Sequence, residues 1–379
     1  MKKIIIGAFV IALILFPVLG NGTEETTENT ENKVETVSVT DDNGDVTEVK
    51  VNPDRVVITD IYPLPSVMTV FLGTCEPLVG VHPVSMSAAK NGLLGQLYPD
   101  YLNLNTGFMT GGDINIEELL KLNPDVVFYN ASKKSQGEMI RNAGIPAIAV
   151  SATKWDYDVL ETYRQWTSIL GQVFPNHNDV STKVDAYSKD VLNRINERIA
   201  DLPTADKQNV LFLFNYDENK MITSGKNFFG QWWANAVGAA NIAEGVTLDN
   251  ANAVITMEQV YAWNPDVIFI TNFTPCEPED LFNNAINADD WSDVAAVQAK
   301  RVYKMPLGSY RSYTPGVDTP VTLLWLAKMT YPELFKDIDI NQETRDYYFK
   351  IYGITLTDNQ LYTMYNSNRD ASKGYVVTV

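Results

Sequence analysis

One block of sequence occurs twice in this chain, and it constrains the fold more than any other feature. Ile116-Glu117-Glu118-Leu119-Leu120 followed by Asn123-Pro124-Asp125-Val126-Val127-Phe128 returns as Met257-Glu258-Gln259-Val260-Tyr261 followed by Asn264-Pro265-Asp266-Val267-Ile268-Phe269, an offset of 264 − 123 = 141 residues. In each copy a short acidic helix runs into a proline, which cannot continue a helix, and a β-branched and aromatic run follows that reads as a buried strand. A unit that recurs once at so long a spacing is a duplicated α/β lobe; a solenoid would repeat it many times at a short period.

The rest of the chain fits two lobes. A length of 379 residues exceeds one ordinary domain and suits two of roughly 150 residues with a connector. Val37 to Val51 alternates apolar and polar residues about Asn43-Gly44, a strong hairpin signal. Val56 to Thr59, Leu78 to Val81 and Pro146 to Val150 read as strands, and helical stretches close at Gly73 and Gly144. Strands alternating with helices predict a mostly parallel sheet covered on both faces. Tyr157 to Leu170 and Val180 to Ile199 carry apolar residues at helical spacing and read as one connecting helix, broken near Gly171 to Pro175. The second lobe opens with the strand Val210 to Phe214 and an aromatic helix holding Phe228, Phe229, Trp232 and Trp233. The expected organisation is therefore a signal over 1–20, a polar spacer over 21–35, an N-terminal lobe over 36–155, the connecting helix over 156–202, a C-terminal lobe over 203–345, and a C-terminal helix and tail over 346–379.

At the N-terminus, Lys2 and Lys3 precede the apolar run Ile4 to Leu15 and a break of small residues from Pro17 to Gly20, the pattern of an export signal. A retained signal would tether the protein to the membrane, and no cysteine stands near the junction to carry a lipid. The Thr, Glu and Asn run that follows lacks the apolar content to order itself. The formal charge of −18, or −18 − 2 = −20 without Lys2 and Lys3, argues against nucleic acid or anionic lipid as a partner. Cys75 and Cys276 are the two cysteines, too few for a disulfide framework or a cysteine-rich metal site.

In order and spacing, Val37 to Thr40 with Asp41-Asp42-Asn43-Gly44, Pro53-Asp54-Arg55-Val56-Val57, Gly112 to Phe128, Asn142-Ala143-Gly144-Ile145-Pro146 and Asn264 to Phe269 resemble the ferric-siderophore and cobalamin class of ABC-transporter substrate-binding proteins. The resemblance spans Val37 to about Tyr352. It implies two Rossmann-like α/β lobes, each a mostly parallel sheet flanked by helices, joined by a long connecting helix. It also implies an extracytoplasmic monomer that delivers its ligand to a permease dimer with its ATPase. One exposed glutamate per lobe pairs with permease arginines in that class, and the matching positions are Glu117 and Glu258, which the internal repeat selects independently. No resident cofactor is expected. The ligand class so implied is a ferric siderophore, with cobalamin or haem next and a nickel or cobalt chelate as an alternative.

Ligands of open α/β sheets lie beyond the carboxyl ends of the strands. That rule selects Tyr62, His82, Tyr129, Asn130 and Ser132 in the first lobe, and Tyr216, Phe228, Trp232, Phe273, Tyr310, Arg311 and Tyr313 in the second. Arg311 between two tyrosines is the strongest of these, because a guanidinium forks onto carboxylate, hydroxamate or catecholate oxygens while tyrosines pack on a flat ligand. A phenolate from Tyr310 or Tyr313 would also serve as an axial haem ligand. With His82 and His177 the two histidines of the chain, a bare zinc or nickel ion is disfavoured and a ligand that brings its own donors is favoured. The chain carries no Gly-x-Ser-x-Gly elbow, phosphate-binding Gly-Lys-Ser/Thr loop or His-Glu-x-x-His, so an enzyme is not the expected reading. A ligand-sensing or adhesive surface protein on the same lobes is the alternative to transport.

Overall fold

The computed structural model describes residues 34–110, 112–248, 253–366 and 369–372. The expected signal and residues 21–33 of the spacer lie outside them. Among the described residues no helix is long and apolar enough to cross a membrane.

Each lobe has its own sheet. The first is fully parallel, in the order Leu78–Val81, Val56–Ile58, Val126–Asn130, Ala147–Val150. The second has a parallel centre of Asn209–Tyr216, Val267–Ile270 and Val302–Lys304, with Met221–Thr223 antiparallel to Asn209–Tyr216 on one side and Val254–Ile255 antiparallel to Met221–Thr223 beyond it. The central strands of each sheet are buried on both faces, so alternate residues feed two cores. In the first lobe Val56, Ile58, Val126, Phe128, Ile148 and Val150 face one core and Val57, Val127, Tyr129, Ala147 and Ala149 the other. In the second, Val210, Phe212, Phe214, Val267 and Phe269 face inward and Leu211, Leu213, Ile268 and Ile270 outward.

The repeat has a physical purpose that its letters alone do not disclose. Asn123 and Asn264 both adopt left-handed backbone, at φ 45° and 43°, a conformation asparagine tolerates better than most residues. Each ends its helix and throws the chain into the proline turn. The aspartate that follows clamps the neighbouring strand. Asp125 Oδ2 accepts from the backbone N–H of Asp54 (2.9 Å) and Arg55 (3.0 Å), while the Asp125 N–H donates to the Arg55 carbonyl at 2.7 Å. In the second lobe Asp266 Oδ2 accepts from Asn209 N–H at 2.8 Å, and the Asp266 N–H donates to the Asn209 carbonyl at 2.9 Å. The clamp sets the parallel register just beyond it, Val126 opposite Val56 and Val267 opposite Val210.

The hairpin forms from Thr36–Thr40 and Val46–Lys50. Asp41 closes its turn by accepting from Asn43 and Asp45 N–H (2.9 and 3.0 Å) and docks it by accepting from Ala149 N–H at 2.9 Å.

The connector differs from the single broken helix expected. It is two helices, Val159–Val173 and Asn178–Ile199, joined by a 3-10 turn at Pro175–His177. They fold back on each other, so that Arg164 lies 3.8 Å from Asp185. A Cβ on Gly171 would come within 2.6 Å of Asn178 Oδ1, so a larger residue there would have to push the Asn178 side chain aside. The second helix carries the core from lobe to lobe: Val180 and Val184 belong to the first-lobe core, Val191 and Ile195 to the second. The C-terminal boundary expected at residue 345 falls inside the helix Ile340–Tyr352. That helix and Asp358–Tyr365 return the chain to the first lobe, where Tyr347, Tyr348, Ile351, Leu361 and Met364 share a core with Val56 and Phe128.

Removing the carboxylate acceptor of these partly exposed backbone donors costs about 1 kcal/mol. Asp125→Ala and Asp266→Ala should each lower the unfolding free energy by that amount, read as a lower urea midpoint at unchanged slope, and the double variant should show nearly their sum because the sites share no partner.

Candidate functional site

The carboxyl ends of the first-lobe strands carry a polar network. Asp60, two residues past Val56–Ile58, is buried. Its Oδ1 receives the Lys133 ammonium at 2.8 Å and its Oδ2 the Gln136 amide at 2.8 Å. Gln136 Oε1 in turn accepts from the Thr59 hydroxyl at 2.9 Å. Lys133 also donates to the Gly112 carbonyl at 3.1 Å. The turn that delivers Lys133 is made by Asn130, whose Oδ1 accepts from Ser132 N–H (3.0 Å) and Ser132 Oγ (2.8 Å). Thr271 does the same at the repeat-related position, its Oγ1 accepting from Phe273 N–H at 3.1 Å.

His82 caps the helix Pro83–Asn91: its Nδ1 accepts from Val84 N–H at 3.1 Å. That bond leaves the proton of the neutral ring on Nε2, which points toward Asp60 Oδ1, 3.9 Å away. The ring packs on Tyr62, centroids 4.5 Å apart. Burial holds the His82 imidazole down at about 4; the Asp60 carboxylate opposes this and the Lys133 ammonium adds to it. The ring is therefore neutral at physiological pH and acts as an N–H donor. Its Nδ1 lone pair is spent, so His82 is poorly set to ligate a metal.

In the second lobe, Phe214, Phe228, Phe273, Tyr310 and Tyr313 form one aromatic cluster, against which Tyr62 of the first lobe also packs. Phe214 lies 4.9 Å from Phe228 and 5.0 Å from Phe273. Tyr157, from the segment leading into the connector, meets Phe228 edge-on at 6.0 Å. Arg311 is 0% exposed and its guanidinium stands over the rings of Phe273 and Tyr310 at 5.3 and 5.4 Å. Nε donates to the Asn272 carbonyl at 3.1 Å, Nη1 to the Tyr310 hydroxyl at 3.3 Å, and Nη2 to the Ala371 carbonyl at 3.0 Å.

Several sequence expectations need correcting. Tyr129 points to the outer core, where its hydroxyl accepts from Arg141 at 3.2 Å. Tyr216 likewise faces the outer core and donates to Asp289 at 2.7 Å. Both belong to strands buried on two faces, where a position near the strand end does not tell which face a side chain takes. Asn130 and Ser132 are engaged with each other as turn formers. Tyr313 is buried inside its lobe, its hydroxyl donating to Ser224 Oγ at 2.7 Å and accepting from Gly230 N–H at 3.0 Å. Trp232 rests against Trp233 at 5.2 Å, and its indole hydrogen-bonds Asp158, the cap of the first connector helix. Burial raises the Tyr310 phenol above its ordinary value, against the phenolate that axial ligation needs. Tyr62 and His82 pack on each other past the first-lobe strand ends, and Phe228, Phe273 and Tyr310 lie in the second-lobe aromatic cluster with Arg311 over two of its rings.

Asp60, Lys133 and Gln136 escaped the sequence reading. The strand-end rule reaches Asp60 and Lys133, and Gln136 follows from Lys133 by one helical turn. Among the described residues no group of three or more His, Cys, Asp or Glu side chains is arranged to hold a metal ion.

Two separate α/β sheets, a helical connector and a donor-rich site between strand ends define a two-lobed solute-binding protein. The chain belongs to the periplasmic binding protein family, whose model matches residues 70–307, and membership implies an extracytoplasmic place of work. Relatives are solute-binding components of ABC transporters. The molybdate-binding protein MolA of Haemophilus influenzae is 29% identical over 261 residues, covering 63% of this chain and 70% of the relative. The crystal structure of a periplasmic solute-binding protein from Veillonella parvula superposes with TM-score 0.78 at 28% identity, covering 88% of this chain and 97% of that one. Molybdate-bound MolA superposes with TM-score 0.71 at 22% identity, covering 85% and 99%. Nickel-bound CeuE of Helicobacter pylori gives 0.65 at 22%, covering 86% and 98%.

The folded-state value of about 4 for His82 lies below the ordinary 6.5, so the unfolded chain binds the proton more readily. Stability that is present above pH 6.5 is therefore lost as pH falls toward 4. Between those values the melting temperature of the native protein should drop more steeply than that of His82→Asn, which keeps an acceptor for Val84.

Proposed function

We propose that this protein captures an anionic, oxygen-rich metal species between its lobes and delivers it to an ABC importer. One observation carries the reading: past the strand ends stand the N–H and cationic groups of His82, Lys133 and Arg311, with the carboxylate of Asp60 already engaged by Lys133 and Gln136. Such a set suits oxyanion or anionic-chelate oxygens and repels a bare cation. The likeness to a molybdate-binding relative supports a tetrahedral oxyanion as the first ligand to try. The aromatic wall of Phe214, Phe228, Phe273 and Tyr310 favours, as second reading, the larger chelates: ferric siderophore first, then cobalamin, haem and a nickel or cobalt chelate. Calorimetric titration with molybdate, tungstate, a ferric catecholate, haemin and cobalamin separates the two. Arg311→Gln should weaken the bound species by about 30-fold or more, as loss of a buried charged partner does; unchanged affinity would remove Arg311 from the site.

Docking is proposed at Glu117 and Glu258, both exposed on the first turn of repeat-related helices. One turn on, the equivalent positions Leu120 and Tyr261 are apolar and 47% and 45% exposed. Twin surfaces of carboxylate plus apolar anchor fit a permease dimer offering a cation and an apolar seat twice, and charge pairs of this kind govern orientation and on-rate. Export through residues 1–20, with or without a retained tether, and a monomeric state belong to the same proposal. Reversing both glutamates to arginine should abolish uptake in cells while leaving ligand affinity within about twofold, as expected for rim charges far from the ligand; normal uptake by that variant would refute the docking assignment.

A further inference from the structure

The short turn Arg369–Ser372 near the end of the chain is held at three places on two lobes. Arg369 forks onto Asp280 of the second lobe, Nη1 to Oδ2 and Nη2 to Oδ1 at 2.7 Å each, and donates to the Pro275 carbonyl at 3.1 Å. Asn91, last residue of the first-lobe helix Pro83–Asn91, donates its amide to the Asp370 carbonyl at 3.2 Å. Between these anchors Ala371 is buried, and its carbonyl accepts from Arg311 Nε at 3.2 Å and Nη2 at 3.0 Å. The turn therefore spans from the first-lobe helix to the second lobe and sets a backbone oxygen on the guanidinium of the ligand site.

We propose that this turn is a latch that serves Arg311 as an internal stand-in for ligand: the Ala371 carbonyl holds the guanidinium until a ligand oxyanion takes its place, and displacement frees the tie to Asn91. An oxyanion offers the guanidinium charge-assisted, bidentate hydrogen bonds that a neutral carbonyl does not, so the exchange runs in favour of ligand. The bidentate Arg369–Asp280 pair keeps the displaced turn close by, at high effective concentration, so that it returns when ligand leaves. The latch raises the threshold concentration at which the receptor fills and couples filling to the contact between first-lobe helix and second lobe. This inference rests on Arg311 being a ligand group, but the presence of the latch is testable without any ligand.

The full-length chain, Arg369→Ala, Asp280→Asn and the charge-swapped pair Arg369→Asp/Asp280→Arg would be treated with phenylglyoxal, and Arg311 modification followed by peptide mass spectrometry. The latch requires Arg311 to be protected in the native chain, to react about tenfold faster or more in the two single variants, as loss of a charged pair of hydrogen bonds implies, and to regain protection in the swapped pair. Reactivity of Arg301, which lies outside the site, should stay constant and excludes general unfolding. Equal Arg311 reactivity in all four proteins overturns the latch. In a separate arm, molybdate should bind Arg369→Ala about tenfold more tightly than the native chain. Faster labelling with no molybdate binding to any variant keeps the latch and rejects the oxyanion, whereas molybdate bound equally by native and variant chains rejects the competition.

Discussion

Everything in this architecture depends on an aspartate fastening one strand to the start of another. A parallel pair has no tight turn to fix its register, and a slip by one residue would turn every buried side chain to the wrong face. Asp125 and Asp266 prevent the slip by joining backbone and side chain to the first residues of the neighbouring strand. With register fixed, alternate residues enter their proper cores and the carboxyl ends of all strands come level. Level strand ends place Asp60 and Lys133 together past the first sheet, and Asn272 and Phe273 past the second.

Much of this was legible in the sequence because its signals were local. Asn43-Gly44 marked the hairpin, Gly73 and the prolines marked helix ends, and the duplicated Asn-Pro-Asp marked the two lobes; each acts within a few residues of itself. The connector was read as one broken helix because periodicity shows which residues are apolar and not whether the axis reverses. The reversal sits at the turn Pro175–His177 between the two helices, and the approach of Arg164 to Asp185 that follows from it is visible only in three dimensions.

The site was legible in part, and the pattern of success is instructive. The strand-end rule leads to loop residues such as Tyr62, His82 and Arg311, which follow the strands ending at Ile58, Val81 and Lys304. Residues within strands failed where both faces are buried: Tyr129 and Tyr216 lie on the outer cores, since no polar face breaks the symmetry of such a strand in sequence. Asp60 and Lys133 were overlooked because an isolated acid and an isolated base carry no pattern until the fold brings them to 2.8 Å. The tautomer of His82, which decides between donor and metal ligand, depends on a single backbone N–H two residues away.

The return of the last helices to the first lobe has a consequence for the duplicated halves. Tyr347, Tyr348 and Met364 complete a core begun by Val56 and Phe128 near the other end of the chain. A ribosome that has released only the first half has therefore made a lobe with an open flank, which closes once the helices holding Tyr347, Tyr348 and Met364 have emerged. Neither copy of the ancestral unit has kept its independence, and a cut between them should yield two sticky fragments instead of two small proteins.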